Sequence, residues 1–581
     1  MKPAKKNSAN IPSTLAVFLV SAAGMLLTHL SLLRLPYFWD EAGYYIPAAR
    51  DLYQTGALIP HSTITNAHPP LVMAYLALDW KIFGYSPLVT RSAMLLIAAF
   101  ALSGVFELAR RVATLGVAIA STISVAAYPV FFAQASLAHL DLAAGALTIW
   151  GLLFYIERRF ALAALWFALA ALAKETAIIA PLALLVWELV APSSFRLGRQ
   201  RMEEEPVLST AEREPVPGLA HNRMEAGRDP SREERALGMT REETSTRGTF
   251  WLSLPLLPLT AWFAFHFART GHIFGNPEFF RYNVAATMQP LRILFAALRR
   301  AWQLVGYMNL FVLTIATALA MFFPAQQDAT RDGRERRRIA IPVQLVFAVV
   351  IAAYWLVMSI VGGAALARYL LPAIPLVIIL CVSTLRRRVR GWPMVIVLVA
   401  ATFVLGLFVN PPYVFAPEDN LAYRDYVELH QQAADFLQAR HPTAGVLTAW
   451  PASDELSKPW LGYVRSSFKI LQLENFTREE LQAAMQNQSF DFALVFSTKY
   501  QPPRPLWMPA FWRRAQTRFF GYHTDVQPFE AAQILGGRVI YEQRRAGQWV
   551  AVIEMPEVRE ARATTETQRR GEVKLAIRNQ R

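Results

Sequence analysis

Two adjacent carboxylates, Asp40 and Glu41, follow the first long apolar segment of the chain, directly after Tyr37-Phe38-Trp39. Aromatic residues favour the membrane–water interface, so the sequence places the pair at the edge of a membrane. Neighbouring helical residues point about 100° apart, so the two carboxylates would have different roles. An ionised carboxylate there can accept a proton from a hydroxyl group within about 3 Å. Asp40 could instead cap a helix N-terminus, and the residues alone leave both readings open.

Asp141 and Lys174 interrupt other apolar segments at the same predicted face. Carboxylates at membrane depth are costly and usually functional, although Asp141 could also cap the helix that starts at Leu142. Lys174 could bind a phosphate, or form a salt bridge with its neighbour Glu175.

Arg368 and Tyr369 follow two glycines in a later turn on this face. A guanidinium offers two parallel donors to a phosphate, but an interfacial arginine can also extend towards lipid headgroups. Acidic groups beside cations suit a lipid-phosphate donor and a hydroxyl or amine acceptor. The base would deprotonate the acceptor, and the cations would stabilise the phosphate leaving group.

The elements that must position these residues are membrane helices. The chain has 581 residues, 54% hydrophobic and 17% charged, against about 25% charged in soluble proteins. Its apolar residues form blocks of roughly 20, the length that crosses a bilayer core of about 30 Å. These features exclude a soluble enzyme, a disordered protein and a secreted disulfide scaffold. The net charge of +15 lies in short runs beside apolar blocks, which indicates membrane topology rather than nucleic-acid binding.

The pattern predicts about eleven spans. They lie near Thr14–Leu33, Leu88–Leu108, Leu115–Phe132, Leu142–Ile156, Ala161–Ala173, Ala177–Val190, Phe250–Phe267, Trp302–Phe323, Ile341–Ile360, Tyr369–Leu380 and Met394–Val409. With a cytoplasmic N-terminus, the arginine runs at 110–111, 158–159, 334–338 and 386–390 all become cytoplasmic, as the positive-inside rule requires. Everything after Val409 then lies outside.

The predicted fold is a polytopic α-helical membrane protein with a C-terminal extracytoplasmic α/β domain. Residues 1–409 form the transmembrane catalytic domain, with a first outer loop at 36–87 and a charged, disordered cytoplasmic insert at 193–248. In the outer loop, Ala42 to Tyr53 has apolar residues at helical spacing, which predicts a helix lying on the membrane surface.

Residues 410–557 form the predicted soluble domain, and 558–581 a charged, disordered tail. In the domain, Gly445–Ala449 and Phe490–Phe496 are predicted strands, and Tyr426–Leu437 and Arg478–Met485 are predicted helices.

The order of these motifs resembles the GT-C glycosyltransferases. Asp40-Glu41, His68-Pro69-Pro70-Leu71, Asp141 and Arg368-Tyr369-Leu370-Leu371-Pro372 are similar to the branch that contains protein O-mannosyltransferases, ArnT aminoarabinose transferases and bacterial Rgt-type lipopolysaccharide transferases. The resemblance covers about Ile11 to Val409 without the insert. ArnT-like members commonly carry Lys-Pro-Pro where this chain has His68-Pro69-Pro70, and the domain insertions of eukaryotic mannosyltransferases are absent.

The resemblance implies an inverting glycosyltransferase of the GT-C fold that takes a sugar from a polyprenyl-phosphate carrier. It implies that Asp40 is the base, that Glu41 positions it or the acceptor, and that Asp141 is a second acidic site residue. Lys174 and Arg368 would bind the donor phosphate, with His68 and Tyr369 also in the substrate site. Some relatives bind a divalent metal, which His68 with Glu41 could hold here, but we assign no metal ligand.

The acceptor would be a lipid, a glycan or a protein on the outer face, and the expected location is the bacterial inner (plasma) membrane. Two other functions remain open: a polytopic transporter or lipid flippase, and a non-catalytic membrane assembly subunit. The sequence shows no similar halves of the kind that transporters often carry.

Overall fold

The computed structural model describes residues 13–191, 248–328, 335–487, 490–502, 507 and 509–556. The predicted insert, apart from Gly248, and the predicted tail lie outside the described residues. The helices of the first half are α1 (Thr14–His29), α2 (Ile46–Thr55), α3 (Leu71–Phe83), α4 (Pro87–Val112), α5 (Leu115–Ala127), α6 (Pro129–Gln134), α7 (Leu140–Ile156), α8 (Phe160–Ala173), α9 (Ile179–Val190), α10 (Leu256–Thr270) and α11 (Pro277–Asn283).

The second half contains further helices and five strands. They are α12 (Pro290–Val305), α13 (Leu310–Ala320), α14 (Ile341–Ile360), α15 (Ile374–Arg388), α16 (Trp392–Phe408), α17 (Ala422–Arg440), β1 (Gly445–Ala449), α18 (Ala452–Ser457), β2 (Lys469–Leu473), α19 (Arg478–Asn487), β3 (Phe492–Phe496), α20 (Ala510–Phe520), α21 (Pro528–Ile534), β4 (Arg538–Arg545) and β5 (Gln548–Glu554).

Long apolar helices identify an integral membrane protein. In the described part of the chain, four are long and apolar enough to cross a bilayer: Pro87–Val112, Gly248–Thr270, Pro290–Ala320 and Ile341–Ile360. Shorter apolar helices are α1, α5, α7, α8 and α16. Each predicted span overlaps a helix. The third is divided at Pro129, because proline lacks the backbone donor that would continue α5, and the eighth is divided between α12 and α13 at the non-helical Met308.

The first outer loop packs on the protein rather than lying on a membrane surface. A short π-helix, Glu41–Tyr45, precedes α2, and Tyr45, Ile46 and Ala49 are buried in one hydrophobic cluster with residues of α3 and of the C-terminal sheet. The prediction of a helix was confirmed, but its apolar face contacts side chains of the protein. Helical spacing reveals an apolar face without saying which apolar surface will cover it.

The C-terminal domain is built on a mixed sheet with strand order β2-β1-β3-β5-β4. Strand β1 pairs in parallel with β2 and β3, whereas β5 pairs antiparallel with β3 and β4. The sequence predicts β1 with its observed bounds and β3 within two residues. It misses β2, β4 and β5. The residues of β2 and β4 are mostly exposed or half-buried and show no clean alternation, whereas β5 is buried throughout.

The C-terminal domain and the first outer loop are in direct contact. The Trp450 side chain, just after β1, lies against Gly43, where an added Cβ would come within 2.6 Å of the indole ring. The Tyr85 hydroxyl donates to the Trp460 carbonyl at 2.8 Å. Only glycine leaves room for the indole at position 43, so the loop that carries Asp40 is held against the C-terminal domain.

Candidate active site

The backbone around Asp40 is set by the residues on either side of it. Trp39 has a positive φ of 41°, a conformation that costs a non-glycine residue energy and often occurs at functional sites. Asp40 begins the π-helix but makes no side-chain cap hydrogen bond there. Its carboxylate pairs instead with Arg368 and is 21% exposed, on the wall of a cavity. The geometry therefore does not support the capping alternative.

Glu41 faces the opposite way and is completely buried. Its carboxylate accepts the backbone N–H groups of Phe38 at 2.8 Å and Ala138 at 2.6 Å, and pairs with the buried Arg91 at 3.3 Å. It does not line the cavity. Of the two roles predicted for Glu41, this geometry favours positioning of the loop that presents Asp40 over contact with the acceptor.

Arg368 lies at the centre of a cluster of three carboxylates. Its guanidinium pairs with Asp40, with Asp141 at 3.2 Å and with Glu418 at 2.5 Å, and the side chain is 1% exposed. Burial disfavours the charge of Arg368, but the carboxylates more than offset this effect and hold its pKa well above the usual value. Arg368 is therefore a fixed internal cation rather than an arginine that extends to lipid headgroups.

Lys174 joins the same cluster through Asp141. The Lys174 ammonium lies 2.6 Å from Asp141 Oδ1 and 4.2 Å from the centre of the Tyr369 ring. Asp141 is in the first turn of α7, but its carboxylate contacts these cations rather than capping the helix. The Lys174 ammonium binds Asp141 rather than its neighbour Glu175. The structure therefore supports neither Asp141 as a helix cap nor a salt bridge between Lys174 and Glu175.

Glu175 binds His68 from the first outer loop. Their closest atoms, His68 Nδ1 and Glu175 Oε2, lie 2.8 Å apart. Burial raises the pKa of Glu175, but the charge and hydrogen bond of His68, with a further contribution from Lys174, lower it more, to about 2. The pair joins the loop to the short turn between α8 and α9.

The Arg368 cluster contains more carboxyl groups than cations. Burial, together with the neighbouring carboxylates, raises the pKa of Glu418 to about 8 against the charge of Arg368. Asp419 next to it accepts the Tyr307 hydroxyl at 2.6 Å, and burial raises its pKa to about 6. Two cations, Arg368 and Lys174, thus face a larger number of acidic groups.

Three residues around Arg368 are of types that can bind a divalent cation, and the guanidinium contacts all three. One ligand atom each from Asp40, His139 and Glu418 lie within 4.8 Å of one another. Glu418 Oε1 is buried without a hydrogen-bond partner among the described residues. Burial and the charge of Arg368 lower the pKa of His139, which leaves its imidazole neutral. Carboxylates with a neutral imidazole are common metal ligands. The suggested pair of His68 and Glu41 is not formed, because each binds a different residue.

A cavity of about 930 Å³ opens beside the cluster. Its wall includes five of the predicted site residues: Asp40, His68, Lys174, Arg368 and Tyr369. Asp141 lies behind Arg368, and Glu41 behind the Asp40 loop. The structure therefore brings six of the seven predicted residues together in the cavity wall or in contact with it, and the C-terminal domain contributes further lining residues.

The sequence reasoning missed His139 and Glu418. A signal for Glu418 was present, because Glu418-Asp419 follows the last apolar block much as Asp40-Glu41 follows the first. His139 is two residues before Asp141, and only the turn that starts α7 brings its ring to Arg368, 3.1 Å away.

Part of the sequence matches a known protein family. The profile of the family described as dolichyl-phosphate-mannose-protein mannosyltransferase matches residues 67–202. A search of curated proteins found no match. Among solved structures, ArnT from Cupriavidus metallidurans bound to undecaprenyl phosphate is 14% identical, with a TM-score of 0.49 over 93% of this chain and 97% of that one.

Archaeal oligosaccharyltransferase structures from Archaeoglobus fulgidus also match. AglB in complex with an inhibitory peptide and a dolichol-phosphate is 11% identical, with a TM-score of 0.44 over 93% of this chain and 74% of that chain. The enzyme from the same organism in complex with Zn and sulfate is 11% identical, with a TM-score of 0.42 over 82% and 67%. The family match contains His68, Asp141 and Lys174, and it confirms the predicted resemblance to the mannosyltransferase branch of the GT-C glycosyltransferases over residues 67–202.

Proposed function

We propose that this chain is an integral-membrane inverting glycosyltransferase that moves a sugar from a polyprenyl-phosphate carrier to a lipid, glycan or protein acceptor on the outer face of the membrane. The observation that carries the proposal is the position of Asp40. Its carboxylate pairs with Arg368 on the wall of a large cavity that Lys174 also lines, where the resemblance expects the base. The match to the mannosyltransferase family supports the reaction type.

The reaction is a single displacement. The acceptor hydroxyl oxygen bonds to the anomeric carbon as the bond from that carbon to the carrier phosphate oxygen breaks, which inverts the configuration. Asp40 takes the proton of the hydroxyl group, and the carrier leaves as its phosphate. The ion pair with Arg368 fixes the carboxylate, and such positioning contributes to catalysis because the reacting atoms need not be brought together from solution.

The remaining site residues position groups around this step. Asp141 holds both Arg368 and Lys174, and Glu41 holds the loop of Asp40. Lys174 and Arg368, with Tyr369 between them, are the proposed contacts of the donor phosphate, and His68 with Glu175 forms the wall beside them. A divalent cation, if bound, would be held by Asp40, His139 and Glu418, and it would supply positive charge that stabilises oxyanions.

The test is transfer from radiolabelled polyprenyl-phosphate sugars to a native membrane extract by purified protein in detergent. We expect Asp40→Asn to lower transfer by about a hundredfold or more, since general bases contribute about 10²–10⁴-fold. The matched control is Asp79→Asn in the same outer loop, since Asp79 does not line the cavity. Wild-type activity in folded Asp40→Asn protein would refute the assignment of the base.

A further inference from the structure

The C-terminal domain turns the ligand-binding edge of its sheet towards the cavity. Trp450, Glu474 and Thr498 come directly after, or within two residues of, the carboxyl ends of β1, β2 and β3, and all three line the cavity. Because β2 and β3 lie on opposite sides of β1, the ends of β1 and β3 flank a topological switch point. Open α/β sheets bind ligands in the crevice at this position. The part of the cavity wall that the C-terminal domain contributes therefore has the topology of a binding site.

The loop after β3 is fixed in place. The buried Asp525 accepts the Thr498 backbone N–H at 2.8 Å, the Thr498 hydroxyl at 2.8 Å and the Lys499 backbone N–H at 3.3 Å. On the other side of Lys499, the Tyr500 ring packs on Phe415 with 4.6 Å between their centres. Anchors on both sides make Lys499 a fixed part of the cavity wall.

A second cation, Arg299 of α12, lies near Lys499. Burial lowers the pKa of Lys499, Asp525 opposes the shift, and the charge of Arg299 lowers it further. The guanidiniums of Arg299 and Arg292 lie 5.4 Å and 5.6 Å from the centre of the Phe520 ring, which also lines the cavity. Arg292 donates to the carbonyls of Gly362 and Gly363, so it belongs to the framework.

Arg299 and Lys499 have no carboxylate in an ion pair with them in the described parts of the chain. Asp525 directs its carboxylate to the Thr498 hydroxyl and the backbone, as described above. The charges of Asp419 and Asp525 act on Arg299 and Lys499 without forming an ion pair with them. An anion bound between two half-buried cations would stabilise them further. The Arg368 cluster is the reverse case, because its cations are already paired with carboxylates.

We propose that Lys499 and Arg299 form an oxyanion subsite that binds a phosphate group, separate from the Arg368 cluster. The guanidinium fork and the ammonium are donors suited to phosphate oxygens. The phosphate belongs either to the polyprenyl carrier or to an acidic acceptor. The identity of the molecule that carries the phosphate rests on the proposed function. Phosphate binding at the subsite does not, because binding requires no sugar transfer.

The experiment measures binding by the full chain in detergent, with undecaprenyl phosphate and inorganic phosphate as probes and uncharged undecaprenol as the control ligand. The variants are Lys499→Gln and Arg299→Gln. The matched control is Lys469→Gln, an exposed lysine at the opposite end of the sheet, where β2 begins. Thermal unfolding of each variant establishes that it is folded. Loss of one charged hydrogen bond is expected to weaken phosphate binding about tenfold.

Weaker binding of undecaprenyl phosphate in both variants, with undecaprenol unchanged, identifies the carrier phosphate as the occupant. If both variants bind undecaprenyl phosphate as the wild type does but bind inorganic phosphate more weakly, the occupant is the phosphate of an acidic acceptor. Wild-type affinity of both folded variants for both probes overturns the subsite. If the chain binds phosphate as expected but transfers no sugar, the proposed function fails while the subsite stands.

Discussion

Replacement of Glu41 by glutamine tests whether this carboxylate holds the loop or takes part in the chemistry. The substitution keeps the size of the side chain and removes its charge. In the wild type, the carboxylate binds two backbone N–H groups and the buried Arg91. The glutamine side chain would keep one oxygen for one of these N–H groups and would leave the guanidinium without its counter-charge.

The magnitude follows from these contacts. Removal of one partner from a buried ion pair costs about 3–5 kcal/mol. Arg91 retains the carbonyls of Leu35 at 3.1 Å, Pro36 at 2.6 Å and Ser136 at 2.9 Å, so the loss should be at the lower end. We expect the free energy of unfolding to fall by about 3 kcal/mol, which changes the ratio of folded to unfolded protein roughly a hundredfold.

The assay is denaturant unfolding of purified protein in detergent, followed by transfer measured per folded molecule. Glu479→Gln is the matched control, because Glu479 is exposed on α19 and the same chemical change there should leave stability within about 0.5 kcal/mol. The reasoning is refuted if Glu41→Gln unfolds like the wild type and yet has lost transfer, since Glu41 would then act in the reaction itself.

Two further predictions concern the contacts of the outer loop. Gly43→Ala places a Cβ 2.6 Å from the Trp450 ring and should lower the free energy of unfolding by about 1–3 kcal/mol. Trp450→Ala removes the ring that causes this clash, so Gly43→Ala should destabilise the Trp450→Ala variant less than it destabilises the wild type. Equal destabilisation of both would show that the contact with Trp450 is not the cause. The pKa of Glu175, lowered from 4.5 to about 2, means that this group stabilises the fold fully above pH 4.5 and that its contribution is lost as pH falls towards 2. As pH falls from 4.5 towards 2, the thermal midpoint of Glu175→Gln should therefore decrease less than that of the wild type. Equal decreases would show that Glu175 is not the group that loses its stabilising charge.

The local pattern of the chain determines its helices well. Block length and charge runs place an apolar helix at each predicted span, because an apolar segment near 20 residues and a basic flank are properties of neighbouring residues. The same holds for β1, a short buried strand. The strands β2 and β4 were missed because their residues are mostly exposed or half-buried and carry little sign of a sheet. The buried strand β5 was missed as well.

Chemical type also identified most of the site. Asp40, Asp141, Lys174 and Arg368 were chosen as charged residues at the edge of apolar blocks, where an unpaired charge is costly. The cost of an unpaired charge predicts that each of these residues has an oppositely charged partner, but not which residue that partner is. The structure pairs Lys174 with Asp141 and Arg368 with Asp40, which are far apart in the chain.

The amino-acid pattern therefore predicts which ionisable residues lie at membrane depth and that they share a face of a helical membrane protein. The packing of the whole chain was needed to show that Asp40 faces a cavity while Glu41, the next residue, is buried against Arg91. It also placed Lys499 of the C-terminal domain on the same cavity as Asp40. The physical reason is that pairing depends on distances between side chains far apart in the chain, and these distances are set by the packing of whole helices and the sheet rather than by local spacing.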